Sequence, residues 1–591
     1  MLCFDDFVSE PLAIRNGIDQ GCPLSVIFYL LYNAPLIRIA DPDRRELCIG
    51  YIDDVTLIAW GRSFEETHSA LADMIVRRGG AMDWSRSHNS TFEFDKTACI
   101  DFTRRREPDP ERLRKTRPVA REDLSWEGSS VATVAQHTFL GVLIDQELNW
   151  KAHANRALAK GTNWVSQVYR IARTTYGVSA RVARKLYVSI AIPRFSYAAD
   201  IWFRPVVTGQ NGRLSGSIGV ARKLARIQRT AALTILGGMR STPTASLDAH
   251  ARLLPMHLLL NQTCARAAIR LASHPEMHPL HTAVRQSSRG RKSHRTPLHD
   301  ILALVDIPPT RFAKLTRRNP RLPAPTRSFP PKKNAITLAK SDRSATQVWV
   351  DGSHGGSGVS AALVLVEHGR VTETLGVKIG QPKEYSVLDS EIIALRLAIH
   401  LLRPMLILEN VTIFSDSQEA VRLVDPESGK PTLPLAVTTA KELKLLRRRN
   451  GGIQITLSWA PGHSGLRYGD LVDAEARLAA DGKDYGDRLP ITFSRALPAP
   501  VDPGYYKICL TQSYREEAER YWLSTDSGTK YQSRYHGSNA HLFLDHIEGL
   551  SRRKHQQKWI LLWGALKHFK APKSSKASTS NVQFLKHYTV L

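Results

Sequence analysis

The sequence predicts a multidomain α/β protein whose carboxyl-terminal half holds a mixed five-stranded sheet with flanking helices. Three observations predict it. At 591 residues the chain is too long for one hydrophobic core, and length alone suggests roughly three or four domains. Between Arg343 and Asp487 short apolar runs alternate with helical stretches in the order β-β-β-α-β-α-β-α, which suits helices on both faces of a mixed sheet. Residues 151–280 instead repeat apolar side chains at helical spacing, as at Trp164, Val168 and Ile171 and again at Val182, Leu186 and Ile190.

Residues 1–150 alternate short apolar strands with amphipathic stretches. Met1 is followed at once by the strand-like run Leu2-Cys-Phe-Asp-Asp-Phe7, so the chain is expected to begin inside a domain. Residues 281–342 read as an extended basic linker: Arg285–Lys333 holds thirteen Lys or Arg against two acids, with eight prolines. That proline density opposes a continuous helix and leaves a short apolar island at Ile301–Val305. A solvated spacer and a phosphate-contacting strap are both open to it.

The next domain, 343–487, opens with strands at Gln347–Val350, Val359–Val366 and Thr372–Ile379. A helix over Val387–Leu402 leads to a strand at Val411–Phe414, a basic helix at Lys441–Asn450, a strand at Ile453–Trp459 and a last helix from about Gly469. Residues 488–591 form a basic tail, helical in period at Ser513–Trp522 and Lys/Ser-rich at Ala571–Ser580.

The charge balance narrows the partners. Eighty-two Lys and Arg face 55 Asp and Glu, a net +27, which favours nucleic acid because each neutralised phosphate releases counterions. A membrane is not expected, for no apolar run reaches about 18 residues. Six cysteines are scattered without a CxxC pair, which argues against a zinc finger, a disulfide framework and a disulfide-linked partner. A reducing intracellular compartment follows, nucleus or cytoplasm left open.

Four carboxylates sit where a sheet edge gathers side chains. Asp351 ends the first strand, with Gly352-Ser353 allowing a sharp turn beside it. Glu391 lies on the apolar face of its helix with Leu388, Ala394 and Leu395, a costly place for a carboxylate without a partner or metal. Asp416 ends a strand in Phe414-Ser-Asp-Ser417, and Asp473 lies within the last helix. Each has an ordinary alternative taken singly: a turn, a helix cap or a solvated helix face.

Jointly the pattern resembles the type 1 ribonuclease H family over about residues 345–485. The matching stretches are Val350-Asp-Gly-Ser353, Ser390-Glu391, Phe414-Ser-Asp-Ser-Gln418, and Trp459-Ala-Pro-Gly-His-Ser-Gly465 followed by Asp473. The resemblance implies an RNase H-like fold and endonucleolytic hydrolysis of the RNA strand in RNA–DNA hybrids. It implies two Mg²⁺ ions, with Mn²⁺ able to substitute, on Asp351, Glu391, Asp416 and Asp473. His463 would then serve proton handling or product release, and Asp470 is the competitor for the role of Asp473. Hybrid recognition would read A-form shape and 2′-hydroxyls. Ser353, Ser417 and Gln418 are placed for backbone or sugar contacts, and Lys441, Lys444, Arg447, Arg448 and Arg449 for phosphates, with Glu442 the single acid among them. A merely solvated face is the alternative for that helix.

The first block resembles the palm of a non-LTR retrotransposon reverse transcriptase, most like fungal elements. Asn16-Gly-Ile-Asp-Gln-Gly21 with Pro23-Leu-Ser25, then Gly50-Tyr-Ile-Asp-Asp54, then Asn89–Lys96 and Phe139-Leu-Gly-Val142 carry it. The resemblance implies a polymerase metal site at Asp53 and Asp54 that lacks its upstream Asp, hence a partial palm without polymerase activity, followed by a helical thumb or connection. The leading expectation is a hybrid ribonuclease on a retrotransposon-derived polyprotein fragment. The alternative is a decayed relic that binds nucleic acid without catalysis. A transposase or integrase fits less well, given the Trp459–Gly465 loop and the four carboxylates.

Overall fold

The computed structural model describes residues 3–4, 6–10, 21–93, 96–112, 114–173, 176–289, 295–314, 329–405, 410–425, 433–449, 454–483 and 485–535, with 554 and 557–559. Most of the motif at Asn16–Gly21 and the whole of Ala571–Ser580 lie outside the described residues. The chain divides into two units, Met1–Asn155 and Arg156–Leu591. No helix of the described residues is long and apolar enough to cross a membrane.

In the first unit a helix over Pro23–Ile37 precedes an antiparallel hairpin of strands Glu46–Tyr51 and Asp54–Ala59. A second helix, Phe64–Val76, starts at Ser63, whose hydroxyl accepts from the Glu66 N–H, satisfying one of the orphan donors of a helix start. Ile75, Cys99, Leu124, Trp126 and Val131 form a small core beneath it.

The second unit is built on one mixed sheet. Strands β1 (Thr346–Gly355), β2 (Gly358–Glu367) and β3 (Arg370–Gly380) form an antiparallel meander. Helix α1 (Val387–Leu402) crosses to β4 (Val411–Ser415), and α2 (Gln418–Val424) and α3 (Pro434–Arg449) lead to β5 (Ile455–Trp459) and α4 (Arg467–Ala480). The order across the sheet is β3-β2-β1-β4-β5, with β1 parallel to β4 and β4 parallel to β5.

Alternation along the strands builds two cores. Val359, Ala361, Leu363 and Leu365 of β2 enter one core with α1, while Ala362, Val364 and Val366 enter the other beside Val472 and Ala476 of α4. A strand covered on both faces needs apolar residues at every position, and the run Val359–Val366 has a single polar residue, Ser360. The Ser360 hydroxyl donates to the Ala476 carbonyl at 2.5 Å.

Several elements differ from the sequence expectation. β1 does not end at Asp351: Gly352 and Ser353 continue the strand, paired with Ala361 and Ser360, and the turn comes at residues 356–357. Gly352 serves close packing instead. A Cβ there would stand 2.6 Å from Ser390 Oγ and 2.7 Å from the Glu391 nitrogen.

Helix α2 is additional to the expected order. It was hidden because it is short and follows directly on the strand, with Ser417 as its cap. The segment read as an extended linker contains helices Pro297–Leu302 and Lys332–Ser341. Pro297 opens the first of these behind a Thr296–His299 capping box, a position where proline favours a helix. The tail holds a longer helix than its periodicity suggests, Pro503–Leu523. Its buried aromatic residues Tyr506, Tyr514 and Trp522 stand eight apart, with exposed polar side chains diluting the pattern.

These flanking pieces share the core on the α1 face. Ile269, Ala272, Ile307 and Phe312 from one side and Phe493, Val501 and Tyr506 from the other join Val350, Ile392 and Ile413. The Tyr385 hydroxyl seals the join, donating to the Ala499 carbonyl at 2.5 Å and accepting from Arg311 at 2.8 Å.

Candidate metal centre

Parallel pairing places two carboxylates side by side. The ladder between β1 and β4 ends at Val350↔Ser415, so Asp351 and Asp416 are the next residue on each of two neighbouring strands. Glu391 comes from the first turns of α1, pressed onto β1 at Gly352. One ligand oxygen from each of Asp351, Glu391 and Asp416 lies within 4.8 Å of the others. Glu391 is 5% exposed, and its Oε2 has no hydrogen-bond partner among the described residues.

The electrostatics follow from this crowding. Burial, then the charges of Asp416 and Asp473, push the Asp351 carboxyl up to about 7, against the Gly352 N–H and Arg477. Burial together with Asp351 and Asp416 drives Glu391 well above the carboxylate range. Asp416 is raised as well, by the protein packed around its carboxyl and then by Asp473, with His463 opposing. The residue as a whole is exposed at the cleft, which Asp473 also lines. Like charges so placed resist joint ionisation without a cation between them.

A cleft of about 50 Å³ opens beside Asp351, Asp416 and Asp473, walled by the Pro461–Ser464 loop. The loop sits close because residue 462 has no side chain: a Cβ on Gly462 would stand 2.6 Å from Asp416 Oδ2. His463 is at the exposed tip with a left-handed backbone, φ 49°, and its Nδ1 lies 3.8 Å from Asp473 Oδ2. Arg477, one turn on, holds the same oxygen at 2.8 Å. Asp470 also lines the cleft, exposed at its rim. Gly462→Ala is expected to displace Asp416 or the loop and to lower turnover by about 10²-fold, a loss typical of a misplaced site. Steady-state rates beside an unchanged unfolding midpoint would check it.

The residues expected to touch nucleic acid divide. Lys441, Lys444, Arg448 and Arg449 are exposed on α3. Arg447 is not free for phosphate: its guanidinium donates to the Ile455 carbonyl at 2.8 and 3.1 Å and meets Asp425 at 3.3 Å, tying α3 to β5. Glu442 turns inward to Arg396 at 2.7 and 2.8 Å and to His400 at 3.4 Å. Burial disfavours its charge, yet the facing His400 and the hydrogen-bonded Arg396 prevail and hold it down to about 2. The outer face of α3 therefore keeps four cations and loses its one acid. The Ser417 hydroxyl accepts from the Ala420 N–H at 3.2 Å as the cap of α2, Gln418 begins that helix, and Ser353 stays on β1 beside Asp351.

Sequence reasoning missed a second basic surface. Arg266 and Arg270 on the helix Met256–Ala272 and Lys507 and Arg515 on the helix Pro503–Leu523 line a groove of about 1000 Å³ with Asp200 as its acid. Burial and then Arg270 and Arg266 lower the Lys507 ammonium. Only the packing of two helices far apart in sequence brings these cations together, so no local signal marks them.

In the first unit, Asp53 and Asp54 are exposed at the tip of the hairpin, where Tyr51 pairs with Asp54. Asn33 Nδ2 donates to the Ile52 carbonyl at 2.8 Å and steadies the turn. Among the described residues, the groups of three close metal-ligating side chains do not include either aspartate.

No family model matches the chain. Over 199 residues, 33% of its length, the chain is 23% identical to the probable RNA-directed DNA polymerase from transposon BS of Drosophila melanogaster. Over 204 residues, 34% of its length, it is 22% identical to the retrovirus-related Pol polyprotein from type-1 retrotransposable element R1 of Bradysia coprophila. The aligned parts are 20% and 19% of those proteins, so the chain spans about a fifth of the length of the curated relatives it matches. The chain has homologues among the polymerases and polyproteins of transposable elements.

Proposed function

We propose that this chain is a retroelement-derived ribonuclease that hydrolyses the RNA strand of RNA–DNA hybrids. The observation that carries the reading is the convergence of Asp351, Glu391 and Asp416 within 4.8 Å, with one buried carboxylate oxygen left unpaired. An all-oxygen set of mutually repelling carboxylates fits a hard divalent cation. Asp351, Glu391, Asp416 and, across the cleft, Asp473 would hold two Mg²⁺, which supply a nucleophilic hydroxide and offset charge on the leaving oxygen.

The protein's own groups supply position and proton control. β1 and β4 hold Asp351 and Asp416 in register, and α1 presents Glu391 from a packed, low-dielectric side. Arg477 fixes the rotamer of Asp473, whose carboxylate faces His463. The imidazole, out on a loop between cleft and solvent, is placed to carry a proton away from the site. The four outward cations of α3 and the groove at Arg266, Arg270, Lys507 and Arg515 supply the phosphate-binding field.

The purified chain, given Mg²⁺ and an end-labelled hybrid, is expected to shorten the RNA strand, leave 5′-phosphates, and spare double-stranded RNA and DNA. Tight binding of the hybrid with the RNA strand intact would instead support the non-catalytic reading. Replacing Lys441, Lys444, Arg448 and Arg449 with Gln is expected to make the log–log salt dependence of hybrid affinity shallower by about 3–4, near one unit per lost phosphate contact. Arg447→Gln is expected to lower the unfolding midpoint and leave that slope nearly unchanged.

A further inference from the structure

We propose that the first unit carries a second metal site, for Zn²⁺ or a similar borderline ion, formed by His68, Cys99 and Asp101. It is separate from the carboxylate centre and independent of the reading given to it.

Local geometry brings the three together. Cys99 lies in extended chain, bridged to Thr133, with its N–H donating to the Ala132 carbonyl at 3.2 Å and its carbonyl accepting from Val134 at 2.9 Å. Residues i and i+2 of extended chain present side chains to the same side, so Cys99 and Asp101 share a face. The helix Phe64–Val76 lies over that face and supplies His68. One donor atom from each residue falls within 4.8 Å of the other two, and His68 Nε2 lies 3.0 and 3.2 Å from the Asp101 oxygens.

Those separations are near what a tetrahedral ion requires. Ligand distances of about 2.0–2.3 Å put neighbouring donors about 3.4–3.6 Å apart, so the sulfur has no more than about 1.5 Å to close. The donors are one thiolate sulfur, one imidazole nitrogen and one carboxylate oxygen, a set that suits Zn²⁺ or Co²⁺ and not Mg²⁺. Three protein ligands leave one position for water.

Burial argues in the same direction. Cys99 is 7% exposed and Asp101 5%, while the His68 side chain at 14% gives a route from solvent. A buried carboxylate demands a counter-charge. The side chain paired with Asp101 is His68, which carries a charge only when protonated, while the nearby Arg121 guanidinium is turned to backbone and donates to the carbonyls of Asp101 at 3.2 Å and Val119 at 3.0 Å. A divalent cation would answer Asp101 and the Cys99 thiolate together, and would pin the helix to the extended segment over a core of few residues.

The test uses the full chain, stripped with chelator and then held in excess Mg²⁺ to occupy the carboxylate centre. Co²⁺ titration is expected to give a near-ultraviolet thiolate-to-cobalt band saturating at one equivalent, and stoichiometric Zn²⁺ to abolish it. Cys99→Ser should remove the band. His68→Gln should weaken Co²⁺ by more than about 100-fold, beyond what outer-shell changes cost. Should Cys99→Ser fail to fold, alkylation of the wild-type chain mapped by mass spectrometry provides the second reading, with Zn²⁺ expected to protect Cys99. No band at stoichiometric Co²⁺, a band that survives in folded Cys99→Ser, or alkylation of Cys99 indifferent to Zn²⁺ would each overturn the proposal.

Discussion

Asp351→Asn and Asp416→Asn are each expected to lower the rate of hybrid cleavage by at least about 10³-fold while leaving hybrid affinity within a small factor. The two residues sit one step past the last rung of the β1–β4 ladder, so each substitution removes an anionic ligand from a rigid frame. Losing charge-matched metal binding removes several kcal/mol of transition-state stabilisation, and about 1.4 kcal/mol is a factor of ten. Single-turnover rates with saturating enzyme separate chemistry from binding. A near-normal rate in either variant would remove the site from the reaction. His463→Ala is expected to cost only about 10²-fold, the range of a proton-transfer group whose work water performs more slowly.

Glu391→Gln is expected to do two opposite things: abolish Mg²⁺-dependent turnover and raise the unfolding midpoint of the metal-free chain by roughly 5 °C. The wild-type carboxyl is buried with one oxygen unpaired, and the amide, neutral at every pH, carries neither a buried charge nor the cost of taking up a proton. Linkage gives the accompanying pH dependence. The folded-state pKa values of Glu391 and Asp351 lie above their ordinary values, Asp351 at about 7. Protonated, these groups favour the fold fully below about pH 4, and that contribution is lost as pH rises through about 7. Metal-free wild type should therefore lose stability from pH 5 to 8, Glu391→Gln should lose less, and Mg²⁺ should restore the wild type. Midpoints measured in chelator and in Mg²⁺ across that range decide it. An equal slope in both proteins would show that Glu391 is ionised at no cost.

How much could be read in the chain depended on whether the signal was local. The helix Val387–Leu402 stands at its expected bounds, because Ser386 and Asp389 form a capping box and the apolar residues recur at helical spacing. The grouping of Asp351 with Glu391 and Asp416 came from ordered short motifs, each carrying its own turn or close-approach residue. What escaped were facts of packing. Gly352 looked like a turn because Asp-Gly usually is one, whereas here the missing Cβ admits α1. Arg447 looked like its neighbours until the β5 carbonyl met it. The prolines of the supposed linker open helices as well as forbid them, and only the surrounding caps tell which.

The core on the α1 face is closed by residues from Ile269 to Tyr506, and this bears on how the part of the chain that holds the sheet can be cut, moved or inherited. A segment excised at Arg343 and Asp487 would leave behind Ile307, Phe312, Phe493 and Val501, together with Ala499, the acceptor for Tyr385. The sheet would keep its hydrogen bonds and α1, and lose the flanking residues that close the core on the α1 face. Such a fragment is not a cassette. Hydrogen exchange should find β1, α1 and the helix Met256–Ala272 opening together, as one cooperative block. A recombination breakpoint between the helical region and the sheet would then be selected against through melting, even though it spares every carboxylate.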